Sequence, residues 1–329
     1  MFGLFGRKKK YKVKGRILVV ENKSKLSKEY IKKITSVLLE LFKKEVLLFK
    51  FRRLHIVLYD NAKDGRAGEA IEPDIIMINL SHLVDLIGGD VYSSLKKRLK
   101  EIIIHEAYHL LHHDMNSALR LFETRCNTRI IEELERLLES IDKPFKNTLE
   151  IESRFAKISI SSIRTGITAL LKKIWIEGLA KFLEGLYNGR LIFDEHTFAQ
   201  LYSKAKEDMQ KIEKSFALIR NALPKVNPSN KATMDRLIQR IDTFVGCVAI
   251  YRSYYIGEHI FYAIRYLDPD IDDEQMIRLH IYKLILLYER LMLKHGYQPV
   301  ISLYSGSGIF DYKRTIKFIS LELKKAMET

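Results

Sequence analysis

Of 329 residues, only two are cysteine, six proline and sixteen glycine. Two thiols cannot build a disulfide framework. Cys126 and Cys247 both fall inside apolar helical patterns, so they read as buried free thiols in a reducing compartment, and a cytoplasmic location is the expectation. So little proline and glycine excludes a fold of many short strands joined by tight turns, and favours long helices. Long hydrophobic runs are missing as well. The nearest approach to the roughly 18 apolar residues that a membrane span needs, Phe244–Ile264, contains Arg252, Glu258 and His259 and reads as a buried helix. The opening Met1-Phe2-Gly3-Leu4-Phe5-Gly6 sets a short apolar piece ahead of a basic run, the reverse of a secretory signal. What the chain does have is apolar side chains, 47% of the total. That is ample for one large domain or for two smaller ones sharing a cleft.

Acidic residues are in deficit, and the formal net charge is +15. Much of this is local. Arg7, Lys8, Lys9, Lys10, Lys12, Lys14 and Arg16 put seven positive charges into ten residues with no acid among them. Residues 1–15 read as a basic N-terminal arm that is frayed and solvated, as chain ends commonly are. Peripheral contact with an anionic membrane surface or with phosphates is its alternative use. No aromatic stacking motif lies near it, so nucleic acid is not an expected partner.

Hydrophobic periodicity orders the rest. Arg16–Val20 reads as a strand, and Leu26–Lys44, with Ile31, Ile34, Leu38, Leu41 and Phe42 at helical spacing, as an amphipathic helix. Leu54–Tyr59 is a second strand and Asp60–Pro73 a loop. Asp74–Leu80 is a third strand, Gly88-Gly89 a break, and Lys96–His113 a strong helix. Helices are then expected at Ser117–Ile141, through Thr148–Leu186, and at Thr197–Leu223, Met234–Tyr266, Glu274–His295 and Lys313–Met327, with a loop at Pro224–Asn230. The fold class is α+β, mainly α: an α/β part over residues 16–114 and a larger all-helical part over 115–329.

The chemistry concentrates in His105-Glu106-Ala107-Tyr108-His109. Two histidines four apart share a helix face, with Cβ atoms about 5–6 Å from each other. Their imidazoles can converge on one Zn²⁺, with one ion expected per chain. Glu106 lies too far round the helix to be a third ligand, but it is well placed to hold a water as general base. The flanking Ile102, Ile103, Ile104, Leu110 and Leu111 carry no charge that would compete for the ion. A third histidine six residues after the second would fall at Met115, and the glycine that accompanies it at His112, so that arrangement is excluded. Asp114 is one position early for the aspartate variant. A glutamate from another helix remains. Glu177, in Trp175-Ile176-Glu177-Gly178-Leu179-Ala180, is preferred, because Gly178 and Ala180 would let its helix pack closely on the motif helix. Glu133, in a charged stretch, is the rival.

The motif followed by Glu177-Gly178-Leu179-Ala180 resembles the gluzincin group of zinc metallopeptidases, over about residues 16–190. The resemblance implies a zincin-like small mixed sheet with an active-site helix, followed by a helical part that carries the glutamate ligand. It also implies a zinc-dependent hydrolase of peptide bonds acting on peptide or protein substrates. In that group an edge strand ahead of the motif helix pairs with bound peptide, and Asp74–Leu80 occupies that place. Tyr254, three residues before Gly257, resembles the donor that steadies the oxyanion, with Tyr255 and His259 as alternatives. Two other uses fit the same residues: a zinc hydrolase of a non-peptide substrate, or a non-catalytic binding or scaffold protein on such a fold.

Overall fold

The computed structural model describes residues 7–45, 47–83, 92–116, 170–222, 232, 250–279 and 281–301. Its architecture is mixed α+β, and the chain divides into two units. The first comprises Met1–Met115 and Leu183–Arg190, the second Asn116–Phe182 and Leu191–Thr329. The return of residues 183–190 to the first unit was not foreseen from sequence, and it bears directly on the candidate site.

In the first unit a five-stranded sheet has the order β1-β2-β3-β5-β4, with β1 Arg7–Val13, β2 Arg16–Asn22, β3 Arg53–Tyr59, β4 Gly68–Ile71 and β5 Ile75–Asn79. The three central strands are parallel to one another and the two outer ones antiparallel to their neighbours. The central strands bury residues on both faces, which explains their unbroken apolar runs such as Ile17–Val20. Helix α1 (Lys28–Lys44) buries Ile34, Val37, Leu38, Leu41 and Phe42, and it starts where the Ser27 side chain accepts from the backbone N–H of Tyr30. Helix α2 (Tyr92–Met115) carries the His-Glu-x-x-His motif.

Two expectations are corrected at the sheet's edges. Most of the basic run is no frayed arm: Arg7–Val13 pairs along its whole length with β2. Its alternation explains this, since Tyr11 is half-buried and Val13 buried while Lys8, Lys10 and Lys12 stay in water. Lys14 and Gly15, at φ 47° and 78°, supply the left-handed pair that a tight hairpin turn requires. A lysine-rich outer strand also discourages pairing with other chains. At the other edge, Asp74–Leu80 is not the outermost strand. β5 lies between β3 and β4, and the outer place belongs to β4, within the stretch expected to be loop. Charge and glycine in residues 60–73 hide this strand. The buried side chain of Asn79 ties down the loop that leads into it, accepting from the Asn61 and Ser81 N–H groups and donating to the carbonyls of Asn61 and Asp64.

The described helices beyond α2 are α3 (residues 170–187), α4 (Glu195–Ala222), α5 (Ile250–Leu267), α6 (Asp273–Arg278) and α7 (Ile281–Lys294). The helix expected over Glu274–His295 is two helices. Leu279 turns extended (φ −65°, ψ 130°), and its carbonyl accepts from Trp175 Nε1 and Asn116 Nδ2, so it cannot continue the helix ladder. Among the described residues no helix is long and apolar enough to cross a membrane. Glu133, Cys126, Cys247, the Gly88-Gly89 break, the loop Pro224–Asn230 and the helices expected at Ser117–Ile141 and Lys313–Met327 lie outside the described residues.

Candidate metal centre

Helix α2 presents His105 and His109 on one face, both half-buried, while Ala107, Tyr108, Leu110 and Leu111 are in the core. The two Nε2 atoms are 3.2 Å apart, and the rings meet edge to face at 4.8 Å. Two nitrogens held by one tetrahedral ion at about 2.0–2.1 Å would stand roughly 3.3 Å apart. The pair already has the spacing of two ligands of a common metal.

The tautomer of His105 follows from its other nitrogen. Nδ1 lies 3.2 Å from Oε2 of Glu184, a carboxylate that can only accept, so Nδ1 carries the hydrogen and Nε2 keeps its lone pair. Glu184 stands on the stretch of α3 that belongs to the first unit. Tyr187, one turn further on, meets Tyr108 of α2 edge to face at 5.9 Å. A carboxylate behind a ligating histidine fixes the ring and raises its basicity. The sequence reading did not single out Glu184, although it lies seven residues, two helical turns, after Glu177 and so shares its face. Replacing it by Gln, which keeps the size but removes the negative acceptor, is expected to weaken binding of Zn²⁺ as probe ion by about 10- to 100-fold. Unchanged affinity in a chelator competition would deny Glu184 this role.

Glu177 is buried. His105, His109 and Glu177 each offer one ligand atom, and these atoms all lie within 4.8 Å of one another, so the group could hold a metal ion. Two half-buried neutral imidazoles and one buried carboxylate form a donor set suited to a divalent cation of zinc's type. Lys173, one turn before Glu177, donates from Nζ to Oε1 of Glu177 at 2.5 Å, and the same ammonium lies 5.8 Å from the ring centroid of Tyr254. Lysine preceding glutamate by four is the weaker order for helix stabilisation. The pairing is better understood as a countercharge for a buried acid.

Gly178 does open a close approach, but to a different helix from the one expected. A Cβ on Gly178 would lie 2.4 Å from Gly257 Cα, and one on Gly257 would lie 2.3 Å from the carbonyl oxygen of Ile174. Helices α3 and α5 therefore touch backbone to backbone, within the second unit. Gly257 of the Tyr254-x-x-Gly257 step serves this crossing, which brings Tyr254, half-buried, onto the flank of Lys173.

The alternatives to Tyr254 sit differently. Tyr255 is 41% exposed, with the ammonium groups of Lys181 and Lys204 at 5.2 and 5.4 Å from its ring centroid. His259 is a core residue: fully buried, against the rings of Phe198 and Tyr202, with Nε2 at 3.1 Å from the hydroxyl of Tyr288. Burial lowers its pKa to about 3, so it stays uncharged at neutral pH. Past the motif, His112 is likewise buried, its pKa lowered to about 3 by desolvation and then by His109 and His113, while His113 pairs with Glu72.

Glu106 is buried and faces the edge strand: the space a Cβ would take at Gly68 is bordered by its Oε1 and Cγ. The general base expected from sequence therefore lies under β4.

Comparison of the chain with family models, with curated proteins and with solved structures gave no match.

Proposed function

We propose that the chain is a zinc-dependent hydrolase of peptide bonds, with His105, His109 and Glu177 holding the ion and Glu106 as general base. The observation that carries this reading is the convergence of two histidine nitrogens and a buried carboxylate, one residue along the helix from a second buried carboxylate. Bound Zn²⁺ would supply Lewis acidity, polarising a carbonyl and acidifying a water.

The protein's own groups divide the remaining work. Glu184 holds His105 in the tautomer that leaves Nε2 available. Glu106 accepts a proton from the attacking water and returns one to the leaving amine. Tyr254 is the candidate donor to the oxyanion, supported by its place beside Lys173 and hence beside Glu177. A zincin-like arrangement fits the sheet as described, with β4 rather than β5 in the place of the strand that pairs with substrate. β4 is antiparallel to β5, lies at the sheet's edge and runs over the motif helix at Gly68. An extended peptide could add there as a further strand, its backbone bonding to β4.

Digestion of a mixed peptide library by the zinc-reconstituted chain tests the reading. Cleavage that ceases on chelation and returns with Zn²⁺ is the expected result. A zinc-loaded chain that leaves the whole library intact would count against a peptidase.

A further inference from the structure

Gly68 is a costly choice for a strand, since glycine packs nothing and loses the most entropy on ordering. Its backbone does not demand it: among the described residues the glycines with positive φ are Gly15, Gly189 and Gly296, and Gly68 is not one of them. The demand comes from space. A Cβ at position 68 would stand 2.7 Å from Cγ2 of Ile102, 2.9 Å from Oε1 of Glu106 and 3.0 Å from Cγ of Glu106. Carbon atoms do not tolerate such distances, so a neighbour would have to move. Ile102 is buried and β-branched, with little rotameric freedom on a helix. The carboxylate of Glu106 ends a flexible side chain and is the part that can yield.

We propose that Gly68 is a positioning residue for Glu106. Its bare Cα forms the wall against which the carboxylate rests, and it holds that carboxylate in the one rotamer from which it can face the attacking water. The purpose assigned to this rotamer rests on the hydrolase reading; the steric coupling of position 68 to Glu106 does not. Edge strand and catalytic helix are thereby linked, so the strand that would align a peptide also fixes the base that acts on it.

The experiment compares Gly68→Ala with Gly65→Ala, whose added methyl would meet nothing within 4 Å. Two readouts are taken: crystal structures of the metal-free chains, and turnover of fluorescein-labelled casein with zinc content measured in parallel. Gly68→Ala is expected to keep its zinc, to show the Glu106 carboxylate displaced by about 1 Å or more, and to lose about a hundredfold in kcat with KM little changed. Gly65→Ala is expected to match the unaltered chain in both readouts. Should Gly68→Ala fold poorly, Gly68→Ala combined with Ile102→Ala removes the stiff neighbour. That variant is compared with Ile102→Ala alone, and the Glu106 displacement is still expected. An unmoved Glu106 carboxylate, or wild-type turnover in Gly68→Ala, overturns the proposal. Failure of the unaltered chain to cleave casein would instead count against the hydrolase reading, and the metal-free structures would still decide the role of Gly68.

Discussion

Glu106→Gln is expected to retain zinc in full while hydrolysis falls by at least about two orders of magnitude, the usual loss when a general base is removed. The substitution keeps the length and shape of a side chain that is 8% exposed and packed against the edge strand, so the fold is barely disturbed. His105 has a support of its own, through Nδ1 to Glu184, and both rings project from a stretch of α2 where Ile102, Ile103, Ile104, Ala107, Leu110 and Leu111 are buried. The amide differs from the carboxylate in one decisive respect, that it cannot take a proton at neutral pH. Activity and metal content should therefore separate cleanly. Full activity in Glu106→Gln would leave no hydrolytic mechanism built on this helix standing.

Glu177→Ala is expected to lose metal and activity together. It removes the only charged member of the three-residue group, leaving two neutral imidazoles. Loss of a mere outer partner costs about 10- to 100-fold in metal affinity, so loss of a ligand should exceed the upper end of that range. It also leaves the Lys173 ammonium, 35% exposed, without the carboxylate it now meets at 2.5 Å, so any residual site is more positive and repels the cation further. Zinc content measured after dialysis should fall to background while the helical circular dichroism persists. Glu133→Ala serves as the comparison, because Glu133 was the rival candidate from sequence, and it is expected to keep zinc and activity. Zinc kept in Glu177→Ala and lost in Glu133→Ala would reverse the ligand assignment.

The parts of the molecule that could be read from sequence are those where one physical signal dominates. The central strands announce themselves because burial on both faces forces unbroken apolar runs, and α1 because a single buried stripe repeats at helical spacing. His105 and His109 are legible because a four-residue spacing has a fixed geometric consequence on a helix. Glu177 stood out through its small neighbours, but for an incomplete reason: Gly178 is small because Gly257 of α5 passes over it. Sequence can show that something comes close without showing what. The edge strands were missed for opposite reasons. β1 looks like a solvated tail because an edge strand buries only alternate residues and carries lysines on the rest. β4 is four residues long, and the loop leading into it is held by the Asn79 side chain from β5, a contact invisible in the local pattern. Glu184 and Lys173 look like ordinary surface charges until α3 is placed, and only then do they meet His105 and Glu177. The break at Leu279 likewise depends on tertiary partners, Trp175 and Asn116, that no local propensity encodes.

Metal stoichiometry bears most directly on the whole. The chain is stripped with a chelator, dialysed, reconstituted with Zn²⁺ and freed of unbound ion, and bound zinc is then measured by elemental analysis against protein concentration, beside Glu177→Ala treated identically. One zinc per unaltered chain and a background level in the variant is the expected result, as the one His105-His109-Glu177 group among the described residues requires. A folded, unaltered chain that cannot be loaded, or one that loads equally well without Glu177, would contradict it.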